Sequence, residues 1–189
     1  MSNQSLSDAA IKATRDLPPV RLSEIVLRTA RYADMKAWYQ AVLGVDPFLD
    51  NDRVCFRRLH TDYPYTQVLA IFHRPEVSDR PPEVNGLDHI QLRHGSLDEL
   101  ITRYERLRGV GIRPVRSMNH GPGTSFYYSD PDGNTVELSG VNFDNEAEYL
   151  AYFDSEAYRT NIAGIVIDSD EYAARFRGGV PQAELVRIP

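Results

Sequence analysis

The chain has 189 residues, 42% hydrophobic, 10% aromatic and 25% charged, with a net charge of -6 and a pI near 5.4. That balance describes a globular chain able to bury a core, as one domain or two fused half-size modules. Its acidity argues against nucleic acid, which needs a basic face, and the lone Cys55 excludes an intrachain disulfide and fits a reducing compartment.

Residues 1–19, rich in Ser, Asp and Ala and closed by Pro18-Pro19, read as an N-terminal arm, either mobile or a short amphipathic helix, with no basic-then-apolar pattern of a signal peptide. Arg21 to Thr29 alternates as a strand, and Ala33 to Leu43 carries Met35, Trp38, Tyr39 and Val42 at helical spacing before stopping at Gly44. Val54 to Leu59 and Gln67 to Phe72 are strand candidates that complete a first module over 20–74. A proline-marked linker follows at 75–86. The second module, 87–140, repeats the order: strand Leu87 to Arg93, helix Leu97 to Arg108, then strands Ile112 to Met118, Thr124 to Tyr128 and Thr135 to Leu138. The segment 141–189 is too apolar for a free linker, and reads as an extension that wraps the core, covers a pocket or forms a dimer contact. No segment reaches membrane-spanning length, so the expectation is a cytoplasmic protein with a small-molecule substrate, no nucleic-acid or membrane partner, and a homo-oligomer among its options.

The two modules are copies. Shifted by 65 residues, Leu22, Ile25, Leu27, Arg28, Tyr39, Gly44 and Val45 fall without gaps on Leu87, Ile90, Leu92, Arg93, Tyr104, Gly109 and Val110. The informative disagreement is Glu24 opposite His89. Strand alternation puts Ile25, Leu27, Ile90, Leu92, Val136 and Leu138 under the helices and leaves Glu24, His89 and Glu137 together on the other face. Each alone reads as a solvated or hydrogen-bonded strand residue. Two carboxylates converging with an imidazole need a shared proton or an organising cation, and a metal ion is the simpler answer. Asp130-Pro131-Asp132-Gly133-Asn134 has turn chemistry at every position and reads as a structural hairpin. Arg28 and Arg93 read as strand-end arginines that pack along helices or pair with acids, in preference to anion binding.

The duplicated strand-helix-three-strand unit, Trp38-Tyr39 followed by Leu43-Gly44, the Gly86-Leu87-Asp88-His89 entry to the second copy, and the run from Asn119-His120-Gly121-Pro122 to Asp130-Pro131-Asp132-Gly133-Asn134-Thr135-Val136-Glu137 resemble the vicinal oxygen chelate superfamily of glyoxalases, bleomycin-resistance proteins and extradiol dioxygenases. Ser125-Phe126-Tyr127 with the following Glu137 is most similar to the extradiol branch. The resemblance implies an α+β fold of two tandem βαβββ modules curled into an open barrel around one divalent metal, Fe(II) in the dioxygenases. It makes Glu24, His89 and Glu137 the metal ligands, His120, Tyr127 and Gln67 the catalytic positions, and Tyr65, Asn119 and Tyr127 the substrate contacts. Two residues depart from the family pattern: Glu24 stands where a first histidine is expected, and Gln67 falls on or near the acid/base histidine. Two carboxylates and a neutral imidazole cancel the charge of a divalent ion, which admits Mn, Mg or Zn as well as iron. Gln67 carries no proton to exchange at neutral pH, so His120, a ligand carboxylate or the substrate anion must act as base. The resulting expectation is a metal-dependent, extradiol-like enzyme acting on a small aromatic or enolisable metabolite. The alternatives are a non-oxidative isomerase, epimerase, cyclase or lyase, or a metal-free binding protein in which Glu24 pairs with Arg28, Arg93 or a protonated His89.

Overall fold

Alternation in the strands and 3.6-residue spacing in the helices produce two similar layers in the computed structural model, which describes residues 20–79, 81 and 85–188. The expected arm at 1–19 and part of the linker at 75–86 lie outside the described residues. In the first module β1 (Glu24–Thr29) is followed by α1 (Tyr32–Leu43), β2 (Pro47–Asp50), β3 (Val54–His60) and β4 (Gln67–His73). In the second, β5 (His89–His94) is followed by α2 (Leu97–Gly109), β6 (Arg116–Asn119), β7 (Gly123–Ser129) and β8 (Thr135–Val141). The extension adds α3 (Glu146–Tyr152), α4 (Glu156–Thr160), β9 (Ile165–Val166), α5 (Ser169–Arg177) and α6 (Gln182–Leu185).

The sheets run β1-β4-β3-β2 and β5-β8-β7-β6-β9, with the first strand of each module parallel to its last and the remaining pairs antiparallel. The chain is thus an α+β protein with two separate sheets and no closed barrel. The strand expected from Arg21 begins at Glu24. The one expected from Ile112 begins at Arg116, because Pro114 offers no amide to a ladder. The short strand β2 supplies the βαβββ strand that the sequence did not locate, and β9 was not expected.

One face of each sheet packs under its helix. Ile25 and Leu27 of β1, Leu69 and Ile71 of β4, and Val136 and Leu138 of β8 join Met35, Tyr39 and Val42 of α1 and Leu100, Ile101, Tyr104 and Leu107 of α2 in a single core. Helix α1 stops at Gly44, whose φ of 65° lets its N–H close on Gln40 O. Helix α2 starts at Ser96, whose side chain accepts from Glu99 N, with Asp98 and Glu99 in its first turn and Arg106 and Arg108 in its last, the arrangement the helix dipole favours. The modules are joined where the Tyr39 hydroxyl donates to Asp130 Oδ2 at 3.0 Å.

The extension packs on the second module. Residues Ile165 and Val166 pair with Asn119 and Met118, Asp170 accepts from the Tyr104 hydroxyl at 2.5 Å and pairs with Arg108 and Arg113, and Arg177 reaches Asp98 and Glu105.

Candidate functional site

The register of the second sheet sets out the site. Gln91, Glu137, Tyr127 and Arg116 form one cross-strand row, and Arg93, Ser139, Ser125 and Met118 the next, all facing away from the helices. His89, two residues before Gln91, points to the same side.

His89 lies between two carboxylates. Its Nδ1 is 2.6 Å from Asp88 Oδ1 and its Nε2 is 2.9 Å from Glu137 Oε2. A neutral imidazole has a single N–H to give. If Asp88 takes it, Nε2 and Oε2 confront each other as two acceptors, and the gap is closed by a second ring proton or by a cation. Two adjacent ligands, each about 2.1 Å from an octahedral divalent ion, stand about 3.0 Å apart. The donor pair therefore fits a metal, with Asp88 in the outer position that orients a ligating histidine. The other oxygen of Glu137 is fixed by Ser125 Oγ at 2.5 Å and Gln91 Nε2 at 2.9 Å, and the side chain is only 4% exposed.

His120 and Tyr127 form a second pair, with His120 Nε2 2.9 Å from the Tyr127 hydroxyl and Nδ1 2.8 Å from Ala163 O. A carbonyl can only accept, so Nδ1 carries the proton, and the bare Nε2 accepts from the phenol. Tyr127 is also edge-on to His89 at 5.8 Å and has Arg116 4.1 Å over its ring. Burial raises the Tyr127 pKa, and the nearby Glu137 adds to this while Arg116 opposes it.

The remaining expected residues are dispersed. Glu24 is exposed on the first sheet and makes no side-chain hydrogen bond or ion pair among the described residues. Among those residues no three His, Cys, Asp or Glu side chains cluster to hold a metal. The pairing of Glu24 with Arg28, Arg93 or His89 is therefore corrected: the carboxylates beside His89 are Asp88 and Glu137. Gln67 opens on a cleft of about 410 Å³ at the seam between modules, with Leu43, Val45 and Leu59 from the first module and Gln91 and Arg93 from the second. Tyr65 is 48% exposed, with Arg21 4.0 Å over its ring. Asn119 is fully buried and engaged in architecture, donating to Val186 O at 2.9 Å and accepting from Gly121 N at 2.9 Å and Asn142 Nδ2 at 3.1 Å.

Sequence reasoning missed Asp88, Gln91 and Ser125. Their signal was available: Asp88 adjoins His89, Gln91 shares its strand face, and Ser125 shares the face of Tyr127. The cover was among the roles expected of the extension, without the residues that form it. A cavity of about 280 Å³ lies over Gln91, His120, Ser125 and Ser139, walled by Tyr149, Phe153 and Tyr158 of the extension.

Paired βαβββ modules, each a mixed sheet with its helix on one face, are the architecture of the vicinal oxygen chelate class. The chain belongs to the Glyoxalase/Bleomycin resistance protein/Dioxygenase superfamily, whose model matches residues 21–138. It is 38% identical over 167 residues to biphenyl-2,3-diol 1,2-dioxygenase 3 of Rhodococcus globerulus, covering 87% of this chain and 86% of the relative. It is 32% identical over 161 residues to biphenyl-2,3-diol 1,2-dioxygenase 2 of the same organism, covering 85% and 84%. Among solved structures, the fold is similar to a lactoylglutathione lyase from Agrobacterium tumefaciens, with a TM-score of 0.52 and 22% identity over 66% of this chain and 96% of that one.

Proposed function

We propose that the chain is a metal-dependent, ring-cleaving dioxygenase of small aromatic diols, with His89 and Glu137 as paired metal donors and Glu24 as the donor from the first module. The observation that supports this reading is the His89 imidazole held between the Asp88 and Glu137 carboxylates, its Nε2 2.9 Å from Glu137 Oε2, a separation that suits two adjacent ligands of one divalent ion. The two biphenyl-2,3-diol dioxygenases, similar along most of the chain, support the aromatic diol and Fe(II). Glu24 is put forward because it is the repeat partner of His89 and its carboxylate is uncommitted among the described residues.

A divalent metal at this seat would draw both oxygens of a diolate together and offset their charge. The proton work falls to the chain's own side chains. The Tyr127 oxygen, its hydrogen directed at His120 Nε2, has lone pairs to accept from a substrate hydroxyl. As it does so, its own proton passes to Nε2, while Nδ1 stays anchored on Ala163 O. The raised pKa of Tyr127 keeps the phenol protonated and ready for this relay. Ser125 and Gln91 hold Glu137 still, and the aromatic walls of the extension limit water.

The second reading is a non-oxidative isomerase, epimerase, cyclase or lyase with the same metal seat. It is favoured by Gln67, which lines the seam cleft with Gln91 and Arg93 and offers no proton to exchange at neutral pH. The test is metal analysis, anaerobic Fe(II) reconstitution, and oxygen uptake with biphenyl-2,3-diol and catechol. Uptake that depends on Fe(II) supports the dioxygenase. Metal binding without uptake transfers the case to the non-oxidative reading, and neither binding nor uptake overturns both.

A further inference from the structure

Arg93 was expected to pack along a helix or to pair with an acid; it pairs with no acid among the described residues and meets a helix only through the ring of Tyr149 on α3. Alternation along β5 places it on the concave face with His89 and Gln91, where it borders both the aromatic-walled cavity and the seam cleft. Among the described residues no acidic side chain lines either cavity. Among the described residues its one partner is the ring of Tyr149, whose centroid lies 5.7 Å from its guanidinium carbon. Arg93 is exposed at the rim of these cavities, where its guanidinium is open to an anion entering from solvent.

A second donor stands beside it. Ser139, directly opposite Arg93 in the β5–β8 register, is 2% exposed, and its Oγ accepts from Gln91 Nε2 at 3.3 Å. With that lone pair engaged, the hydroxyl hydrogen is left to donate, and the residue lines the same cavity. The planar fork of Arg93 and the Ser139 hydroxyl match two oxygens of a carboxylate, while Tyr149, Phe153 and Tyr158 supply flat apolar surface for a ring.

We propose that the substrate carries a carboxylate at the end remote from its diol, bound by Arg93 and Ser139 beneath the aromatic wall. This rests on the reading of the His89–Glu137 pair as the diol end. Arg93 lies four positions beyond His89 on one strand, about 13 Å along the backbone. The acid therefore belongs at the far end of the molecule from the hydroxyls.

The experiment uses 3-phenylpropionate and the neutral 3-phenylpropionamide as probes, titrated calorimetrically into the whole chain without added metal. The acid is expected to bind about tenfold or more tightly than the amide. Arg93→Gln should abolish the preference and leave amide binding unchanged, Arg93→Lys should restore part of it, and Ser139→Ala should weaken the acid alone. Arg58→Gln, on the first sheet beside Phe48, should change nothing. An acid that binds no better than the amide, including no measurable binding of either, overturns the proposal, as does a preference that survives Arg93→Gln in a variant with wild-type circular dichroism. The probes have no diol and need no metal. A preference for the acid without oxygen uptake would therefore leave this subsite standing while the dioxygenase reading fails, and the reverse pattern would do the opposite.

Discussion

The hydroxyl of Tyr39 on α1 donates to Asp130 Oδ2 at 3.0 Å, a buried bond between the first module's helix and the last turn of the second. Asp130 organises that turn, accepting from Asp132 N and Asn134 N on Oδ1 and from Asn134 Nδ2 on Oδ2. Replacing Tyr39 by Phe removes the inter-module bond and leaves a buried carboxylate oxygen one donor short. The expected loss is about 1–3 kcal/mol of stability, measured as a lower urea midpoint. A variant as stable as wild type would show that this bond contributes nothing to holding the modules together.

Buried tyrosines set the alkaline limit. Burial holds the hydroxyls of Tyr39 and Tyr128 well above their ordinary 10.0, and pushes Tyr32 up to about 12. A folded pKa above the unfolded one means that the folded chain keeps its proton longer. The associated stability is complete below pH 10.0 and is lost as pH rises beyond it towards the folded values. Tyrosinate absorbance for Tyr39 and Tyr128 should thus emerge together with loss of the folded circular dichroism signal above pH 10.0. Their ionisation in a chain that stays folded would contradict the burial argument.

The Tyr127–His120 relay separates proton transfer from metal binding. Tyr127→Phe breaks the path to Nε2, and His120→Gln removes its terminus. Each is expected to lower kcat on a diol by about a hundredfold with metal content unchanged and a smaller effect on KM. Full turnover in Tyr127→Phe would rule the relay out.

Gly121 holds the His120 loop against the extension. Its φ is 92°, and a Cβ there would lie 2.1 Å from the Tyr152 ring. Gly121→Ala must displace either the loop or α3, so both thermal stability and turnover should fall. A variant unchanged in Tm and kcat would show that the contact between loop and extension is not needed.

Much of this architecture was legible because it follows from local periodicity. Ile25, Leu27, Ile90 and Leu92 declare a buried face by alternation alone, and the 65-residue repeat places His89 and Glu24 at matching strand positions. What escaped depends on distant partners or lacks a pattern. The short strand β2 begins with a proline, has a register shift and is largely exposed, while β9 is two residues long, so neither offers a period to read. Asn119 has the composition of a loop residue available to substrate, yet its donor proton is taken by Val186, 67 residues later. Arg93 repeats Arg28 and invited a packing explanation. Its position at an aromatic-walled cavity depends on Tyr149 and Phe153 in the extension, which lies outside the repeat.

The central claim is that His89 and Glu137 seat one divalent metal. Anaerobic Fe(II) titration of the metal-free chain, followed by metal analysis after desalting, measures it directly for wild type, His89→Ala and Glu137→Gln. The account predicts one ion retained per wild-type chain, with loss of at least about tenfold in affinity in either variant. A wild-type chain that retains no metal, or variants that retain it as tightly as wild type, would contradict the account.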